Sequence, residues 1–275
     1  MSEIVSGGSR GFELGRVFTA AFGIVRERAM AIATLVVLVA WGPQLMADWA
    51  YAPALARLGP NGLRLAVAVF PGVGVAASLV MRAAVTAVAV GASASPIGMR
   101  GAILSALRAT PTLLPYWLLA ASPPILGYLI RGGAIASPAI GLLPFTLFSW
   151  GVAILVAVTL GVLTPVVIAE RPGVFGAAAR SFSLMSGGRW KFLGLYLLIQ
   201  LVAAAPRTLA TLALSVSGAG LRTTGMSAML AQALIVSLLT DVALALWAVL
   251  TAASYREFCR VHDGAAPGEV AEIFA

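Results

Sequence analysis

Residues 171–200 read RPGVFGAAARSFSLMSGGRWKFLGLYLLIQ, and the order of side chains in this stretch decides how the rest of the chain is read. Pro172 is a residue that suits the first turn of a helix. Phe175, Ala179, Phe182 and Leu184–Met185 then fall on one apolar face of a short amphipathic run. Gly187-Gly188 interrupts it, Arg189, Trp190 and Lys191 form a basic-aromatic cluster, and a long apolar run follows. A chain that lies along a membrane surface and then turns into the bilayer has this layout, because basic and aromatic side chains favour the headgroup region and apolar ones the hydrocarbon. Looser versions of the plan occur at 11–39 and 95–119.

Composition agrees. Of 275 residues, 60% are hydrophobic and 10% charged, against about 25% charged in soluble domains. Such a chain lacks the polar material to cover a water-facing surface. A bilayer-spanning helix takes about 20 apolar residues, and six runs qualify: 29–47, 64–93, 112–131, 140–168, 191–215 and 226–253. Long apolar runs, as opposed to alternating ten-residue segments, exclude an outer-membrane barrel. The expected fold is an all-α integral membrane protein with six transmembrane helices.

The net charge of +8 would point to nucleic acid in a soluble protein, but its placement points elsewhere. With a cytoplasmic N-terminus, 12 of the 18 basic residues fall in inner segments, 4 in outer ones (Arg57, Arg64, Arg131, Arg222), and Arg82 and Arg207 within apolar runs. That bias is the positive-inside pattern and predicts a bacterial inner-membrane protein with both termini in the cytoplasm. The expected partners are anionic inner-leaflet lipids and other membrane proteins, with no nucleic acid. Candidate headgroup contacts are Arg16, Arg26, Arg28, Arg100, Arg108, Arg180, Arg189 and Lys191. Cys259 is the only cysteine, so no intrachain disulfide forms. The first 28 residues include Glu3, Glu13 and Glu27 and do not read as a cleavable signal.

Turns into lipid fall near residues 29, 111 and 190, each after an amphipathic stretch and before two apolar runs. This predicts a pseudo-three-fold repeat of surface helix plus hairpin (10–93, 95–168 and 171–258), with a cytoplasmic tail at 259–275. Trp49 and Tyr51 mark an outer aromatic belt, and Tyr116 and Trp117 an inner one. Ala83, Ala87, Gly91 and Ser95 form a small-residue row suited to close helix packing, although an alanine-rich helix without a special partner reads the same way. Pro123-Pro124 is expected to kink the third span, and a broken helix lining a substrate site is the alternative.

Arg82 lies 53 residues after the first turn into lipid and Asp241 51 after the third, with Leu163–Thr164 at about the matching place in the second unit. Each charge is about 11 residues from the inner end of its run, roughly 16 Å at helical rise. Ionisable residues in spans face the bundle interior and find partners, so Arg82 and Asp241 are expected to pair. The pair would be structural, or a central site for a lipid phosphate or a proton; otherwise Arg82 snorkels to the inner interface. No cofactor or metal site is expected. His262, the only histidine, is expected to be solvated in the tail and away from any membrane-embedded serine.

Residues 164–194, TPVVIAERPGVFGAAARSFSLMSGGRWKFLG, resemble a bacterial integral-membrane family: the membrane domain attached to some glycerophosphoryl diester phosphodiesterases, and its stand-alone YciC-like relatives. Glu170, Ala179-Arg180-Ser181, Gly187, Arg189 and Trp190 carry the resemblance, with Tyr255-Arg256 and Phe12–Phe18 at the two ends. It implies a six-helix inner-membrane protein and does not imply phosphodiesterase activity, which belongs to a separate soluble barrel. The expected function is therefore a non-enzymatic membrane scaffold or partner- and lipid-interacting module. The alternative is a transporter or lipid- or small-solute-handling protein built on Arg82 and Asp241, which a water-accessible centre reaching both charges would favour.

Overall fold

The computed structural model describes residues 11–47, 60–91, 97–133, 143–216 and 226–263. Side chains are described outside 60–72, 120–133, 143–146, 149–150, 153, 157–158, 206–207, 210–216 and 226–233. Trp49, Tyr51, Arg57, Ser95, Arg222 and the tail beyond Asp263 lie outside the described residues, as do the side chains of Arg64, Arg131 and Arg207.

Everything described is helix, turn or short connection, with no strand among the described residues. Eight elements follow in order: α1 (Leu14–Ala47), α2 (Pro60–Gly91), α3 (Met99–Gly133), α4 (Leu143–Leu160), α5 (Leu163–Glu170), α6 (Val174–Leu184), α7 (Arg189–Val216) and α8 (Met226–His262). Among the described residues three stretches are long and apolar enough to cross a membrane: Leu14–Ala47, Val73–Gly91 and Leu234–His262.

The first surface helix and first apolar run are joined in α1, with a break in helical geometry at Arg28 (φ −119°, ψ 15°), next to the expected turn at 29. Further along, Val36–Trp41 is wound as a π-helix, and Trp41 Nε1 donates to the Leu234 carbonyl at 3.2 Å, tying α1 to α8. Helical periodicity places Phe12, Val17, Phe18, Ala21, Phe22 and Val25 on one apolar face of 10–28, and that face divides in two. Val17, Ala21 and Ile24 are buried, whereas Phe18 and Phe22 are exposed. The second surface helix is not separate from its span: α3 runs unbroken through Pro111 and Pro123-Pro124. Its buried row, Ala102, Ala106, Ala109 and Leu113, follows the helical repeat.

The break expected in the third run appears in the fourth. Pro165 has no N–H to donate to the carbonyl of Gly161, and its ring crowds that carbonyl. The helix stops at Leu160 and restarts at Leu163, where Val166 N–H reaches Val162 O at 3.1 Å.

The interruption read at Gly187-Gly188 falls on a turn. α6 ends at Leu184, a turn covers 185–188, and α7 begins at Arg189. Gly187 has φ 84°, a conformation that suits glycine. Gly188 is needed for a different reason: a Cβ there would sit 2.4 Å from Phe258 Cε1.

α1 packs on α2, α3 on α4 and α7 on α8, and α2, α5 and α8 also meet one another at the centre. Ala83, Ala84, Val85, Ala87 and Ala89 of α2 are fully buried there, so Ala83 and Ala87 of the small-residue row seat helix contacts, whereas Gly91 is half-buried. The outer faces remain apolar: Met30, Met46, Phe175, Trp190 and Leu201 are each at least 70% exposed. Apolar exposure on this scale is unfavourable in water and is what a lipid-covered surface carries.

Candidate functional site

Two clusters organise the molecule. The first is a polar knot around the 171–200 stretch. Arg180 Nε donates to both oxygens of Glu170 at 3.1 Å, and its terminal nitrogens reach Asp263 at 2.5 and 3.3 Å. Tyr255 donates to Glu170 Oε1 at 2.9 Å. Burial alone disfavours the charge on Arg180, but its bonds to Asp263 and Glu170 outweigh that and hold its pKa above the usual arginine range. Lys191 Nζ donates to the Phe12 carbonyl at 2.7 Å, and Arg256 donates to the carbonyls of Ala89 and Val90, the latter at 3.0 Å. Arg189 donates to the Phe182 carbonyl and lies 3.9 Å over that residue's ring. Arg16 pairs with Glu13 at 2.8 Å.

Four of the eight candidate headgroup contacts (Arg16, Arg180, Arg189 and Lys191) are thus engaged within the chain. Arg26, Arg28, Arg100 and Arg108 form no ion pair or side-chain hydrogen bond among the described residues.

One expectation about the C-terminal segment is corrected: residues 259–262 are the last turn of α8, not tail, and Cys259 is 4% exposed in the core. His262 is exposed at the end of that helix. Its Nε2 lies 3.1 Å from Ser186 Oγ and its Nδ1 3.2 Å from the Phe258 carbonyl. A donor at Nδ1 makes Nε2 the acceptor for the serine hydroxyl, which is half of a nucleophile arrangement. The acid nearest in sequence, Asp263, is held by Arg180 instead, so no carboxylate orients the imidazole.

An aromatic chain leads from the knot to the centre. Phe12 stacks on Phe258 at 4.3 Å, Phe258 meets Phe192 at 6.4 Å, Phe192 meets Trp247 at 5.4 Å, and Trp247 meets Tyr196 edge-on at 5.5 Å. Such pairs contribute about 0.5–1.5 kcal/mol each beyond their buried area.

Tyr196 and Trp247 form part of the wall of the second cluster, which surrounds Arg82. The expected ion pair is absent. Arg82 and Asp241 are not among the ion pairs within 4.0 Å, and Asp241 Oδ1 instead accepts the Ser78 hydroxyl at 2.9 Å. Ser78 stands one helical turn before Arg82 on α2, and it is Ser78 whose side chain reaches the Asp241 carboxylate across the helix contact. Arg82 is half-buried. It lies between two cavities, one of about 570 Å³ that also touches Gln44, Ser78, Thr240 and Asp241, and one of about 280 Å³.

The smaller cavity is walled by Tyr116, Trp117, Thr164, Tyr196, Gln200 and Trp247, with apolar Val156, Leu160 and Ile199 between them. Its titratable neighbour is Tyr196, whose hydroxyl accepts from Gln200 Nε2 at 2.9 Å. The break between α4 and α5 opens on this cavity through Leu160, Gly161, Leu163 and Thr164. A guanidinium with no carboxylate partner, facing hydroxyl, amide and aromatic groups, can receive an anion and seat an apolar chain beside it.

Tyr116 and Trp117 were expected in an interfacial belt and instead wall this cavity, the Tyr116 hydroxyl also donating to the Val174 carbonyl at 2.6 Å. Tyr196 and Gln200 were not singled out by the sequence reading; their four-residue spacing within an apolar run is the signal that marks them. Among the described residues, no group of three or more His, Cys, Asp and Glu side chains could hold a metal ion. In comparisons with known proteins, no family model, no curated protein and no solved structure matches the chain, and nothing in them links it to the family that residues 164–194 resemble.

Proposed function

We propose that the chain is a six-span inner-membrane protein, both termini cytoplasmic, whose centre binds an anionic amphiphile or small anionic solute at Arg82 without chemical turnover. The observation that carries this reading is the Arg82 guanidinium, which has no carboxylate partner within 4.0 Å among the described residues and faces the smaller cavity, whose wall holds no acid. A half-buried cation without an ion-pair partner inside an apolar bundle is unfavourable, and a bound anion removes that penalty. The cavities, of about 280 and 570 Å³, fit the size range of small-ligand pockets, roughly 300–1,000 Å³. The scaffold reading relied on basic side chains being free for partners, and half of those are engaged internally.

The three-fold reading draws support from the same place. α2, α5 and α8 supply Arg82, Leu163–Thr164 and Asp241, the positions at matching offsets in the three units, to one centre.

The test uses the full chain in nanodiscs of phosphatidylcholine, titrated with a brominated fatty acid and with phosphatidylglycerol while the fluorescence of Trp117 and Trp247 is followed. Quenching is expected for the wild type, weakened at least about tenfold in Arg82→Gln and partly kept in Arg82→Lys. Equal quenching in wild type and Arg82→Gln would overturn the proposal.

A further inference from the structure

A second, smaller pocket lies where α3 passes the corner between α5 and α6, at the arginine-rich end of the bundle. It has a volume of about 180 Å³ and is walled by Ser105, Arg108, Thr112, Arg171, Ile168 and Pro172, among others. Neither Arg108 nor Arg171 forms a side-chain ion pair or hydrogen bond among the described residues, and neither do the Ser105 and Thr112 hydroxyls. The contrast with Arg180 is direct, since that side chain takes two carboxylates. Glu170, the acid beside Arg171, is engaged by Arg180 and Tyr255 and is not part of the pocket wall. Two cations and two hydroxyls therefore face a small space that no carboxylate lines.

The backbone adds a second observation. Arg171 is the one non-glycine described residue with positive φ (φ 50°, ψ 38°). A left-handed conformation is unfavourable for an ordinary residue, and glycine is the residue that adopts it freely. Glu170 is anchored on one side and Pro172 restricts the other, so the corner is held. Residues kept in such conformations cluster at ligand clamps.

We propose that this pocket binds a phosphate group, with Arg108 and Arg171 taking its oxygens in charge-assisted pairs and the Ser105 and Thr112 hydroxyls completing the shell. The group arrives either on a lipid headgroup or as a free phosphate. The site is separate from the Arg82 cavity and stands or falls without it.

The full chain in phosphatidylcholine nanodiscs is titrated with inorganic phosphate, and separately prepared in nanodiscs containing phosphatidic acid, with thermal stabilisation as the readout. Stabilisation by inorganic phosphate identifies a free phosphate site, stabilisation by phosphatidic acid alone identifies a headgroup site, and absence of both overturns the proposal. Arg108→Gln is expected to weaken the effect at least about tenfold. Arg171→Gly is the decisive variant. It relieves the backbone and removes the cation, so it should melt no lower than wild type without phosphate and yet lose the stabilisation. Arg82→Gln should retain it. A folded Arg171→Gly protein that responds to phosphate like the wild type would sink the assignment.

Discussion

Replacing Gly188 by alanine would put a methyl group 2.4 Å from Phe258 Cε1, on a ring already stacked on Phe12 and bordered by Phe192. A flexible neighbour could move aside, but this ring is pinned on two sides. Gly188→Ala should therefore cost about 1–3 kcal/mol, read as a lowered melting temperature in detergent. Gly187→Ala meets open space and is strained only by its φ of 84°, so roughly 1 kcal/mol is expected. The two adjacent glycines look alike in the sequence, and the need for a break there was legible. Which contact forbids a side chain at Gly188 was not, because Phe258 lies 70 residues away. At the same scale, Arg180 holds two carboxylates and Arg26 none, so Arg180→Ala should destabilise by about 1.5–3 kcal/mol and Arg26→Ala by a few tenths. A double-mutant cycle of Glu170→Ala with Arg180→Ala should show coupling of about 1 kcal/mol or more; additive losses would remove Glu170 as the anchor.

At the level of elements, the informative feature is the gap between α4 and α5. Pro165→Ala restores the N–H that can bond to the Gly161 carbonyl, letting the two helices fuse. The expected outcome is slower amide exchange at residues 161–165 together with weaker ligand-induced quenching at the Arg82 cavity, whose wall the gap forms. Prolines mark possible breaks in a sequence, but this chain has 15 of them. Neighbouring helices satisfy the backbone at some prolines and not at others, so α3 passes Pro123-Pro124 and the fourth run stops before Pro165. Periodicity was similarly half informative. It put Val17, Ala21, Phe18 and Phe22 on a single apolar face, but in lipid both faces of a helix can be apolar, and only packing separates the buried pair from the exposed one.

For the molecule as a whole, three described helical stretches are long and apolar enough to cross a membrane, and they are legible because length and hydropathy are local properties. The meeting of Arg82 with Tyr196, Thr164 and Trp247 is a product of how α2, α5, α7 and α8 pack together, and no window of sequence holds it. The proposed orientation has its own test. On a Cys259→Ser background, cysteines at Arg100 and Ser186 should react with an impermeant maleimide from the cytoplasmic side only, as positions at the arginine-rich end require. Labelling of either from the outside would reverse or break the topology. Native Cys259 should stay unreactive until the protein unfolds, because it is 4% exposed.

The position of Arg82 bears on permeability. If fluctuations joined the two cavities on either side of it, a continuous path would run past a fixed positive charge in a low-dielectric setting. Such a charge repels protons and sodium alike. Conductance through an opened centre would then be anion-selective, and the electrochemical gradient of the host membrane would not be short-circuited by a leak of cations. Arg82→Ala would lift that barrier.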